Sequence, residues 1–150
     1  MKIAIASDHR GYNLKQQILE ALNGKYDITD LGTDSTESTD YTKYAFKLGE
    51  KVANNEFDRG ILICGSGIGI SIAANKVKGI RCAKVSSQEE AYYTRVDNDA
   101  NVISFGEKML LDDALEIIET FIRTEFSNLE KHNRRINDIT MYENGEYHER

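Results

Sequence analysis

Two short stretches carry residue types suited to moving a proton beside an anion. The first is Cys64-Gly65-Ser66-Gly67-Ile68-Gly69, a cysteine leading into a run of glycines. A glycine-rich turn that opens a helix presents unpaired backbone N–H groups and the positive end of the helix dipole. Such a turn stabilises a phosphate or a developing oxyanion. The spacing G-x-G-x-G is not the dinucleotide pattern G-x-G-x-x-G, and no Walker lysine follows it. A plainer reading also stands, in which the glycines only permit a tight turn. Cys64 immediately precedes the N–H cluster, where an anionic sulfur is electrostatically favoured and can serve as a base near neutral pH. Its alternative is to pack as a small hydrophobe at a strand end. Cys82 falls inside a strand pattern and reads as such a core residue.

The second stretch is Ser7-Asp8-His9-Arg10-Gly11. Asp8 and His9 follow an apolar run, where nothing structural calls for two ionisable groups. A histidine there can act as an acid, a base or a phosphate contact. A solvated strand-end histidine is the other reading. Lys131, His132, Arg134 and Arg135 form the only dense basic cluster. It can hold a phosphate, or simply solvate the start of a helix.

The elements that must position these residues are short apolar runs alternating with longer amphipathic ones. Ile3–Ala6, Tyr26–Leu31, Gly60–Cys64, Ile80–Val85 and Val102–Phe105 read as five strands, with Gly60–Cys64 central because it is the most apolar. Helical spacing covers Asn13–Leu22, Tyr41–Val52, the segment from the glycines to Asn75, Gln88–Val96 and Leu111–Glu125. A last helix near Asn133–Tyr142 precedes the polar tail 143–150. The alternation predicts an α/β Rossmann-like three-layer sandwich, a five-stranded parallel sheet with helices on both faces and a C-terminal helical extension. Ligands in that architecture sit beyond the carboxyl ends of the strands, where the strand order reverses. Asp8–Gly11, Cys64–Gly69 and Phe105-Gly106-Glu107-Lys108 all fall at such ends.

With 150 residues, 40% of them apolar, the chain is expected to form one domain over residues 1–150 with a real core. The formal net charge of −6 argues against nucleic acid, and it requires any phosphorylated substrate to meet a local cluster of cations. Two cysteines without close spacing suit a reducing cytoplasm better than a secreted scaffold. No run approaches the ~20 apolar residues of a membrane helix, so no membrane partner is expected. The N-terminal residues read as a strand rather than a leader.

Taken together, Ser7–Gly11, Asp40-Tyr41, Gly60–Lys76 (GILICGSGIGISIAANK), Asp97–Val102 (DNDANV), Phe105-Gly106 and Lys131–Arg135 run in one order along nearly the whole chain. In these stretches the chain resembles the type B ribose-5-phosphate isomerases and their galactose-6-phosphate and allose-6-phosphate relatives. The resemblance implies an aldose–ketose isomerase, with ribose 5-phosphate and ribulose 5-phosphate as the leading substrate pair. Cys64 stands at the position of the proton-shuttling base. The backbone of Gly65, Gly67, Ile68 and Gly69 stands at the oxyanion site, assisted by the Ser66 hydroxyl. Asp8 and Asn98 match contacts to the sugar, and Tyr41 is a further sugar contact. His9, Lys108, Lys131 and Arg135 match phosphate-binding positions. Family sites are shared between two subunits, which implies a homodimer or a dimer of dimers. Neither a metal nor an organic cofactor is implied.

Two departures from the family pattern bear on this reading. Lys108 and Lys131 replace arginine, keeping the charge and losing the bidentate fork. Asp97 stands where many ribose-phosphate members carry a histidine that opens the furanose ring. The galactose-6-phosphate B subunits are similar in having an acidic residue near that slot, and the ending Gly145-Glu146-Tyr147-His148 resembles theirs. Galactose or allose 6-phosphate is therefore the alternative substrate. A non-catalytic phosphate- or nucleotide-binding module is the alternative of another class, and Cys64 discriminates, because a binding loop needs no thiol there.

Overall fold

Three strands at the centre of the sheet are apolar on both faces, which requires a cover of helices on each side. In the computed structural model, which describes residues 1–150, they are β1 (Lys2–Ser7), β3 (Arg59–Cys64) and β5 (Val102–Gly106), flanked by β2 (Asp27–Asp30) and β4 (Cys82–Lys84). The sheet runs β2-β1-β3-β5-β4, and every pairing is parallel. Between the strands lie α1 (Tyr12–Ala21), α2 (Tyr41–Ala53), α3 (Ile68–Ala74) and α4 (Gln88–Asn98), with α5 (Leu111–Arg123) and α6 (Glu130–Glu143) after β5. No helix is long and apolar enough to cross a membrane.

The two-residue period of the strands divides the core. Ile3, Ile5, Ile61, Ile63, Ile103 and Phe105 face α1, α4 and α5. Ala4, Ala6, Leu62, Cys64 and Val102 face α2 and α3. The stripe Ala114, Ile117, Ile118, Phe121 and Ile122 is the buried face of α5. On the other side Gly60 leaves the space that Leu48 of α2 fills.

The expected architecture is present, and the differences lie at the edges. β2 and β4 are shorter than their apolar patterns, because an edge strand pairs on one side only. Cys82 is therefore half-buried on edge strand β4 rather than sealed in the core. Its thiol packs against Ser71 and Ser104, and burial pushes its pKa up to about 11. α4 continues past Val96, so Asp97 and Asn98 sit on its last turn. α6 begins at Glu130, ahead of the predicted Asn133, and buries no residue. The tail returns onto α6, where Arg150 forks onto Asp138 at 2.7 and 2.6 Å.

Candidate active site

The strand order reverses between β1 and β3, since β2 pairs on one side of β1 and the chain then crosses to place β3 on the other. A crevice of about 700 Å³ opens there, beyond the carboxyl ends of the strands. Asp8, Tyr41, Cys64, Gly65, Ser66 and Gly69 line it, together with Lys108 at its rim. Each is placed by a local device. Asp8 is buried, and its Oδ1 accepts the N–H groups of Arg10 at 3.0 Å and Gly11 at 3.1 Å, fixing the turn into α1. Tyr41 opens α2, and its ring occupies the space that a Cβ on Gly69 would need, 2.7 Å away.

The Cys64 loop is held by three contacts. Its sulfur accepts the Gly67 N–H at 3.2 Å. The Ser66 hydroxyl accepts the Ile68 N–H at 3.1 Å, and the Ser104 hydroxyl donates to the Gly67 carbonyl at 2.8 Å. Gly67 lies at φ +78°, with the Phe105 backbone 2.6 Å from where a Cβ would stand, so both conformation and space demand glycine. The N–H groups of Gly65, Ser66 and Gly69 have no partner in the chain. They form a donor cluster beside a buried thiol, the arrangement needed to abstract a proton while stabilising the oxyanion that results.

Charge around the crevice is locally positive in an acidic chain. Arg10, Lys84 and Lys108 line it against the one carboxylate of Asp8. Arg10 lies across Gly65 and is braced by Glu107 at 2.7 Å. Sequence reasoning assigned no role to Arg10, Lys84 or Met109, although Arg10 stands within the strand-end stretch already singled out. Lys84 ends β4, which reaches the same side of the sheet through the pair Lys84↔Ser104.

The remaining expected residues lie elsewhere. His9 turns its Nδ1 onto the backbone of Thr39, 3.2 Å from its N and 3.1 Å from its O. That loop is tied to α1 by the fully buried Lys15, whose Nζ donates to Asp30 at 2.6 Å and to the Thr33 carbonyl at 2.9 Å. Asn98 lines a separate hollow under α6. Asp97 pairs with His132, its Oδ1 3.2 Å from Nε2. Arg134 pairs with Glu130 at 3.2 Å. The basic cluster is thus divided, and Lys131 and Arg135 remain on one exposed face, four residues apart on α6.

The family model for ribose/galactose isomerases matches residues 3–139. The chain belongs to that family. It is 41% identical over 144 residues to ribose-5-phosphate isomerase B of Escherichia coli, covering 95% of this chain and 96% of that one. Among solved structures, ribose-5-phosphate isomerase B of Clostridium thermocellum superposes with a TM-score of 0.92 at 46% identity, covering 97% of this chain and 99% of that one. The Mycoplasma genitalium enzyme, solved with bound ribulose 5-phosphate, gives a TM-score of 0.89 at 39% identity, covering 95% and 96%. As a family member the chain shares the fold of these isomerases.

Proposed function

We propose that this sugar-phosphate isomerase interconverts ribose 5-phosphate and ribulose 5-phosphate in the cytoplasm, with Cys64 as the base. The observation that carries the reading is the buried Cys64 sulfur beside the unpartnered N–H groups of Gly65, Ser66 and Gly69, in a crevice of positive local charge. The Cys64 thiolate takes the C2 proton of the open-chain aldose, leaving a cis-enediolate whose oxygens face the glycine loop and the Ser66 hydroxyl. Returning that proton to C1, while the O2 proton passes to O1, yields the ketose. The step needs a base and an oxyanion site, and calls on neither a metal nor an organic cofactor. Asp8 and Tyr41 hold the sugar, and Lys108 meets its anionic end.

Asp97, Asn98, Lys131 and Arg135 lie outside the crevice of a single chain, on the exposed ends of α4 and α6. In this reading a second copy of the chain brings them to the crevice, so the homodimer is the catalytic unit. His9, Lys131 and Arg135 bind the phosphate there. The pair Asp97–His132 opens the furanose ring, because a carboxylate alone is a poor proton donor at neutral pH and an imidazole is a good one.

The deciding assay compares the purified chain on ribose 5-phosphate, allose 6-phosphate and galactose 6-phosphate. The expected result is the highest kcat/KM on ribose 5-phosphate. Turnover on a hexose phosphate with little on ribose 5-phosphate would overturn the substrate, and no turnover on any of them would favour a binding module.

A further inference from the structure

At the end of the sheet opposite the crevice, the start of β3 and the end of α4 enclose a cavity of about 550 Å³. Arg59, Arg81 and Arg95 line it with Asp58, Asp99 and Asn101. Part of each guanidinium is committed to the fold. Arg59 Nη1 donates to the carbonyls of Phe121 and Ile122 at the end of α5. Arg95 donates through Nε to the Thr124 carbonyl at 2.9 Å, and through Nη1 to the Ala100 carbonyl and Asp99 Oδ1, each at 2.8 Å. Arg81 holds the Asn98 carbonyl through Nε at 3.0 Å and the Asp99 carbonyl through Nη2 at 2.9 Å. These bonds leave Arg59 Nη2, Arg95 Nη2 and Arg81 Nη1 without a partner in the chain.

The charges do not balance either. Asp99 is shared, at 2.8 Å from Arg95 and 3.5 Å from Arg81. Asp58, which also accepts the backbone N–H of Lys2 at 2.7 Å, is the only other carboxylate lining the cavity, so three guanidiniums meet two carboxylates there. Burial, and next the field of Arg95, bring the Arg59 guanidinium down to about 10. A half-buried cation without full compensation is costly, and an anion arriving in the cavity offsets that cost. The committed nitrogens already hold the three side chains in place, so little entropy is lost when a ligand arrives. Three separate donors suit the three free oxygens of a phosphate better than the two of a carboxylate.

We propose that Arg59, Arg81 and Arg95 form a phosphate-type oxyanion site distinct from the crevice. Arg81 grips the carbonyls of Asn98 and Asp99, so an anion bound there also steadies the turn that follows Asp97.

The test follows the arginine Nε–Hε resonances of the full-length ¹⁵N-labelled protein during titration with inorganic phosphate, against sodium chloride at matched ionic strength. Saturable shifts of the Arg59, Arg81 and Arg95 resonances are expected, and they persist in Lys108→Ala, which weakens the crevice. In Arg81→Gln the shifts of Arg59 and Arg95 should need about tenfold more phosphate, the loss of one charge-assisted hydrogen bond. Equal shifts with chloride, or shifts that vanish in Lys108→Ala, would overturn the site. Neither outcome touches the isomerase reading, which rests on turnover.

Discussion

The crevice and the outlying face of α4 and α6 offer two ways of holding a functional side chain. In the crevice, Asp8 and Cys64 are buried, and both are tied to backbone N–H groups of the turns that follow them. Their positions come from paired central strands and change only if the sheet changes. On the outlying face, Lys131 and Arg135 stand on a helix that buries nothing. Their positions owe little to the core, which suits groups that act on another copy of the chain. A side chain that needs exact placement for proton transfer is built into strand ends; one that supplies charge tolerates a looser mount.

Removing the base is the sharpest way to test the crevice half of this contrast. Cys64→Ala is expected to lower kcat by about 10³-fold, with unchanged circular dichroism and with sugar-phosphate binding retained by calorimetry. Full activity in that variant would break the contrast outright. Next in size, Gly67→Ala places a methyl against the Phe105 backbone in a left-handed conformation. It should cost on the order of 2–3 kcal/mol, read as a fall in Tm of roughly 5–10 °C. A Tm within a degree of wild type would show that the loop is less tightly set than its geometry implies.

The outlying half responds in the opposite way. Arg135→Ala should raise KM about tenfold through loss of a charged phosphate contact, while stability stays within about 0.5 kcal/mol. Assayed at substrate well below KM, Arg135→Ala and Cys64→Ala chains unfolded, mixed and refolded together should be more active than either variant alone, because a mixed dimer holds one site with both residues intact. Absence of any restoration would place both residues in the same chain's site. The smallest effect belongs to Cys82. Its thiol, with a pKa near 11, is protonated through the neutral range, and only about one molecule in a thousand is thiolate at pH 8. Iodoacetamide labelling of Cys82, followed by mass spectrometry, should be slow at pH 8 and rise about tenfold per pH unit until the pKa is reached. Rapid labelling at pH 7 would mean that its packing is loose.

Much of this was legible in the residues. The doubly apolar run Gly60–Cys64 predicts a central parallel strand, because only a sheet covered on both faces buries every side chain of a strand. The glycines after Cys64 announce a turn into a helix. What escaped was set by contacts remote in sequence. Arg10 points into the crevice because Glu107 braces it from the end of another strand. His132 leaves the basic cluster because Asp97, on a different helix, accepts it. The arginines at 59, 81 and 95 are scattered along the chain and show no pattern until the sheet brings their ends together.

The amino-acid sequence by itself determined the strands, their order of appearance and the cysteine-led turn, since periodicity and glycine chemistry act over a few residues. Only the tertiary structure decided the strand order β2-β1-β3-β5-β4 and hence the reversal point where Asp8 meets Cys64. It also decided that Arg10 and Lys84 join Lys108 at that point within one chain, while the basic run at 131–135 stands apart on α6. The physical reason is that local patterns specify elements, whereas charge compensation and cavities arise from packing those elements against one another.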